Sequence, residues 1–140
     1  MEMTISKQGY RLSGARKRLL SLLESSAQPL TQAALFEKLR SDGSPVGLVT
    51  IYRNLDLLSR LGLVERIYNE NGELGYLACR SHGHHHHMLC RACQNTVEFE
   101  AANDLDEMIK RVESSTGYQI QDHILQFMGL CPDCRAQEAA

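Results

Sequence analysis

The sequence predicts an α+β chain built as two small domains, and three observations carry that reading. Apolar residues recur at helical spacing in three stretches within the first 61 positions. An alternating pair of runs around an Asn-Gly follows them. All the cysteines and histidines are then confined to the stretch from Cys79 to Cys134. The length of 140 residues suits one ordinary domain or two small ones. With 43% hydrophobic and 23% charged residues the chain should fold rather than stay disordered. No apolar run approaches the roughly 20 residues of a membrane span, and no signal-peptide stretch opens the sequence. The expectation is a soluble cytoplasmic protein with no membrane partner.

The net charge of −2 hides a split. Residues 1–64 carry nine Lys/Arg against five Asp/Glu, a balance of +4. Residues 65–140 carry six against twelve, a balance of −6. A basic, metal-poor half precedes an acidic half rich in soft ligands, a pattern that hints at a nucleic-acid-binding segment.

The elements follow in order. Ser13 can cap a first helix with Leu19, Leu20, Leu22 and Leu23 along it, broken at Ser25-Ser26. Thr31 can cap a second, bearing Ala34, Leu35 and Leu39 and ending near Gly43. A third should run from about Val46 to Leu61. Its Ile51, Leu55, Leu58 and Leu61 form one face, and Gly62 sits just past its end. The opposite face should present Thr50, Arg53, Asn54 and Arg60, with Tyr52 at its flank. Two β-like runs, Leu63–Tyr68 and Leu74–Leu77, flank Asn69-Glu70-Asn71-Gly72, a hairpin signal. Asn103–Ser115 should be helical, and Tyr118–Phe127 alternates as a strand would.

Three short helices and a hairpin is the order of a winged helix-turn-helix, whose third helix can enter the major groove. Arg53 could then reach a guanine, and Thr50 and Tyr52 a base or a phosphate. Arg11, Arg16, Lys17 and Arg18 would supply phosphate contacts. Solvated helix faces are the alternative, and for Lys17 and Arg18 the better one.

The second half poses a metal problem. Cys90-Arg91-Ala92-Cys93 and Cys131-Pro132-Asp133-Cys134 each place two thiolates on one tight knuckle. Together they make a closed tetrahedral S₄ shell suited to structural Zn²⁺. The 37 residues between the knuckles exceed a compact zinc finger, so such a site would staple two ends of a domain. Two local disulfides or a redox pair are the alternatives, and a reducing compartment disfavours the disulfides.

His84-His85-His86-His87 leads into the first knuckle. On a strand, His84 and His86 share one face and His85 and His87 the other, so one run could feed two metal sites. Candidates to complete the His85/His87 side are Cys79, which could equally be a small buried hydrophobe, and Glu65. A thiol beside two imidazoles favours zinc over iron. For the other side the candidates are His123 and Asp106, or the neighbouring Asp104 or Glu107.

The run Val49-Thr50-Ile51-Tyr52-Arg53-Asn54-Leu55, then Gly62-Leu63-Val64, His84–His87, both CxxC pairs and Asp122-His123 resembles the ferric uptake regulator family. The likeness extends from about Arg11 to Cys134. It implies a dimeric, metal-dependent DNA-binding repressor, with a winged-helix domain over 1–79 and an α/β dimerisation domain with a short antiparallel sheet over 80–140. Within the family the chain is similar to the zinc uptake regulator branch. Iron- and peroxide-sensing members commonly carry a regulatory His where this chain has Pro29, and zinc sensors a Cys where it has Cys79. The resemblance implies a structural zinc on Cys90, Cys93, Cys131 and Cys134. It groups Glu65, Cys79, His85 and His87 as a regulatory zinc site, and His84, His86, Asp106 and His123 as a second.

The expected function is therefore zinc-dependent repression of zinc uptake genes by a homodimer on double-stranded operator DNA, with two to three Zn²⁺ per chain and no small-molecule substrate. An iron- or peroxide-sensing repressor of the same family is the first alternative. A zinc hydrolase with Glu65 as base is the second. Catalytic zinc keeps an open water position, whereas each site here can reach four ligands, and no HExxH or nucleophile elbow occurs. No enzyme activity is expected.

Overall fold

A computed structural model of the chain describes residue 9 and residues 13–43, 46–80, 85–100 and 102–139, the side chains of 102–104 excepted. It divides into two compact units, Met1–Arg80 and Ser81–Ala140. Among the described residues no helix is long and apolar enough to cross a membrane.

The first unit runs α1 (Gly14–Glu24), β1 (Leu30–Thr31), α2 (Gln32–Ser41), α3 (Leu48–Arg60), β2 (Val64–Tyr68) and β3 (Leu74–Ala78). Both predicted caps form. Ser13 accepts a hydrogen bond from the Arg16 backbone N–H and Thr31 one from that of Ala34, each satisfying an orphan donor of a first turn. Helix α3 ends in a Schellman motif. Gly62 takes φ +71°, its N–H donates to Ser59, and the Leu63 N–H donates to Leu58.

The hairpin pairs β2 with β3 antiparallel, Glu65 opposite Leu77 and Arg66 opposite Tyr76. Its turn is held by Asn69, whose Oδ1 accepts from the Asn71 and Glu73 N–H groups, while Gly72 supplies φ +77°. The two-residue β1, which periodicity cannot detect, adds to the far edge of β3. Gly75 permits this, because a Cβ there would sit 2.7 Å from Cβ of Pro29. Leu19, Leu20, Leu23, Leu35, Leu39, Ile51, Leu55, Leu58 and Val64 fill the core between the helices and the hairpin.

The sequence misplaces one residue of α3. Asn54 is buried, not on the outer face. Its Oδ1 accepts from Arg16 Nε of α1 at 2.9 Å and its Nδ2 donates to the Thr50 carbonyl, so the buried polar side chain is satisfied.

The second unit runs β4 (His86–Cys90), β5 (Thr96–Phe99), α4 (Ala102–Thr116), β6 (Gln126–Gly129) and α5 (Pro132–Ala139). Strand β4 is central. It pairs antiparallel with β5, as the expected short sheet requires, and parallel with β6, so the sheet is mixed. The strand predicted over 118–127 is a correction. Residues 117–125 are irregular and only Gln126–Gly129 joins the sheet. Alternation at 118–125 reflects no ladder there, and the Ile120 N–H instead donates to the Glu113 carboxylate at 2.8 Å.

Candidate metal centres and nucleic-acid surface

The four-cysteine site is assembled by strand direction. Parallel pairing sets Cys90 opposite Gly129, so β4 and β6 end at the same edge of the sheet. Cys90 closes β4, and Cys131 follows β6 by two residues. The long spacing between the knuckles is thus the length of a crossover that returns the chain parallel to its start. After Cys90 the chain turns back through Gln94, whose φ of +67° lies in the left-handed region and whose N–H donates to the Cys90 carbonyl. After Cys131, Pro132 occupies the first position of α5, where its missing N–H costs nothing.

The Sγ atoms of Cys90, Cys93, Cys131 and Cys134 all lie within 4.8 Å of one another, those of Cys93 and Cys131 at 3.8 Å. The thiols differ electrostatically. Backbone N–H groups of Cys93 and Cys131 directed at the Cys90 sulfur lower its pKa to about 6. Hydrogen bonding with the Cys131 thiol pushes Cys134 up to about 12. Four thiols this close cannot all ionise without a cation among them. As a thiolate set they fit Zn²⁺, which would hold the ends of β4 and β6 and the start of α5 together.

The histidine run divides as strand alternation predicts. His85 and His87 lie together with ring centroids 5.1 Å apart. His86 turns the other way and meets His123, centroid to centroid 5.3 Å. His84 lies outside the described residues. The His85/His87 side has a neighbour that sequence reasoning missed. Glu98 stands directly opposite His87 on β5, its carboxylate 3.6 Å from His85 Nε2 and 3.9 Å from His87 Nε2. The three donor atoms lie within 4.8 Å of one another. The only sequence signal for Glu98 was its place in the short run Thr96-Val97-Glu98-Phe99, and the register that aims it at His87 is a tertiary property.

Burial pushes the His87 pKa down to about 4, with His85 adding to the shift and Glu98 opposing it. His87 Nε2 is buried with no hydrogen-bond partner among the described residues. A neutral imidazole with a buried, unsatisfied nitrogen beside a carboxylate is what a metal ion would complete.

Glu65 and Cys79 belong to the first unit. Glu65 faces Leu77 across the hairpin and Cys79 follows two residues later, so both side chains lie on one face, with ligand atoms within 4.8 Å of each other. The Cys79 N–H donates to the Leu63 carbonyl at 2.9 Å, which pins the thiol beside the start of β2. Pro29 offers no donor atom and serves packing on Gly75. On the His86/His123 side, Asp106 is exposed on α4, and the three share no donor cluster of 4.8 Å span among the described residues.

The residues predicted to meet DNA divide too. Thr50, Tyr52 and Arg53 are exposed on α3. Arg16 is half-buried and anchored by Asn54, and Arg11 lies outside the described residues.

The model of the ferric uptake regulator family matches residues 7–128. The chain belongs to the ferric uptake regulator family. Members of this family are metal-responsive regulators of transcription, not enzymes. A zinc uptake regulation protein of Mycobacterium tuberculosis is 32% identical over 132 residues, 94% of this chain and 100% of that one. A ferric uptake regulation protein of Synechococcus elongatus is 31% identical over 137 residues, 96% of this chain and 92% of that one. Holo XcZur, a crystal structure, superposes with a TM-score of 0.79 at 27% identity, covering 96% of this chain and 94% of that one. The α+β architecture with an N-terminal winged helix is that of the family.

Proposed function

We propose that this chain is a zinc-responsive repressor that binds operator DNA as a homodimer and controls zinc uptake genes. The observation that carries the zinc assignment is the Cys79 thiol set beside the Glu65 carboxylate, with donor-free Pro29 where iron sensors would place a ligand. A thiol donor shifts preference from iron to zinc. The regulatory site would draw on Glu65, Cys79, His85 and His87, with Glu98 as a further candidate. A second site would use His84, His86 and His123, with Asp106 or a neighbouring acid. Zn²⁺, when bound, supplies a concentrated positive charge and fixed coordination directions. The reader is residues 1–79, with Thr50, Tyr52 and Arg53 on α3 for bases and phosphates and Arg11 and Arg16 for the backbone. Residues 80–140 would sense metal and dimerise, and the exposed Val97, Met108, Val112, Ile124 and Phe127 of that half suit burial against a second copy. Metal favours the DNA-competent arrangement to the extent that it binds that state better.

Iron sensing is the second reading, favoured by the Synechococcus ferric relative at nearly equal identity. The test is DNA binding against buffered free Zn²⁺ and Fe²⁺, wild type beside Cys79→Ser. Zinc should activate the wild type at far lower free concentration than iron, and Cys79→Ser should lose most of that preference. Equal activation of both proteins by Fe²⁺ refutes zinc sensing through Cys79.

A further inference from the structure

Helix α3 carries a single acid, the half-buried Asp56, and its carboxylate is paired with two arginines. Asp56 lies one turn beyond Tyr52 and Arg53, so it shares their flank of the helix. Its two carboxylate oxygens are divided between two cations. Oδ2 meets Arg60 Nε at 3.2 Å on the same helix, and Oδ1 meets Arg66 Nη2 at 3.5 Å on the first strand of the wing. Arg66 in turn faces the buried Tyr76 across the hairpin. Arg60 and Arg66 are largely exposed, with side chains 68% and 47% accessible.

Exposed ion pairs of this kind add little to stability, so the arrangement calls for another purpose. Two guanidiniums at the edge of a DNA-reading helix would bind any phosphate backbone, and such contacts carry no sequence information. A carboxylate between them does two things. It holds both cations in fixed positions, one on α3 and one on β2. It also opposes approach of a phosphate except where both arginines are drawn past it. We propose that Asp56 is a specificity-determining positioning residue, which restrains Arg60 and Arg66 so that non-cognate DNA is held weakly and the operator is favoured through α3. This rests on the DNA-binding reading above.

The experiment uses full-length, zinc-loaded protein and two probes: a random-sequence duplex, and the duplex selected from a random pool by the wild type. Affinities are measured over a range of salt concentrations. Asp56→Asn should bind the random duplex several-fold tighter, with a salt slope steeper by roughly one phosphate contact. Its preference for the selected duplex should fall about five- to ten-fold. Asp56→Glu, which keeps the charge, should retain most of the preference. A wild-type salt slope and preference in Asp56→Asn overturn the proposal, as does equal weakening on both duplexes, the mark of a merely structural role. A wild type that cannot distinguish selected from random duplex overturns the DNA-binding reading itself, and this proposal with it.

Discussion

The two halves of this chain are held together by different physics. The first unit buries a conventional apolar core in which Leu23, Leu35, Leu55 and Leu58 are wholly inaccessible. In the second, the buried side chains among the described residues are Leu89 and Leu105 with Cys90, His86 and His87. Candidate metal ligands occupy places that apolar side chains would fill elsewhere. The first unit can therefore fold by removing hydrocarbon from water, whereas the second would need its candidate ligands satisfied.

The largest effect should come from breaking the staple of the second unit. Cys90→Ser, or a strong chelator, should remove the structural zinc, with an apparent binding free energy on the order of 10 kcal/mol. Limited proteolysis should then digest residues beyond about 80 while a fragment of the first unit survives. Intact, protease-resistant protein with no bound zinc would show that the second unit does not depend on coordination. The converse test is Leu55→Ala, which opens a cavity in the first core and should cost about 2–5 kcal/mol there. Zinc held by the four cysteines should stay at the wild-type value, and a loss of that zinc would mean that the halves are not independent in folding.

A smaller effect concerns pH. His87 is depressed to about 4 against an ordinary 6.5. Above pH 6.5 it is neutral in both folded and unfolded chains, and its contribution is complete. Between 6.5 and 4 the unfolded chain takes up a proton that the folded chain refuses, so stability falls by at most about 3 kcal/mol. Below 4 there is no further loss from this group. Denaturant titrations of protein retaining only structural zinc should show this fall in wild type and a shallower one in His87→Gln. Smallest of all is Ser13→Ala, which removes a helix cap and should cost about 1 kcal/mol in the first unit alone.

Where the sequence was legible, local physics decided the outcome. Helix caps at Ser13 and Thr31, the Gly62 stop and the Asn69–Gly72 turn each depend on a few neighbouring residues. The split of His85 and His87 from His86 follows from strand alternation alone. The failures involve partners distant in the chain. Asn54 looked outward because its partner, Arg16, comes from another helix. Glu98 was missed because the β4–β5 register places it opposite His87. The alternation over 118–127 misled because β6 takes its hydrogen bonds only from Gln126 onward.

Metal binding and DNA binding, if coupled as proposed, must be coupled reciprocally. The most direct test is the affinity for regulatory Zn²⁺, measured by competition with a chelator, with and without saturating operator duplex. Zinc should bind more tightly in the presence of DNA, by about 5- to 150-fold, with the same factor when DNA affinity is measured with and without zinc. A zinc affinity indifferent to DNA would contradict the coupling.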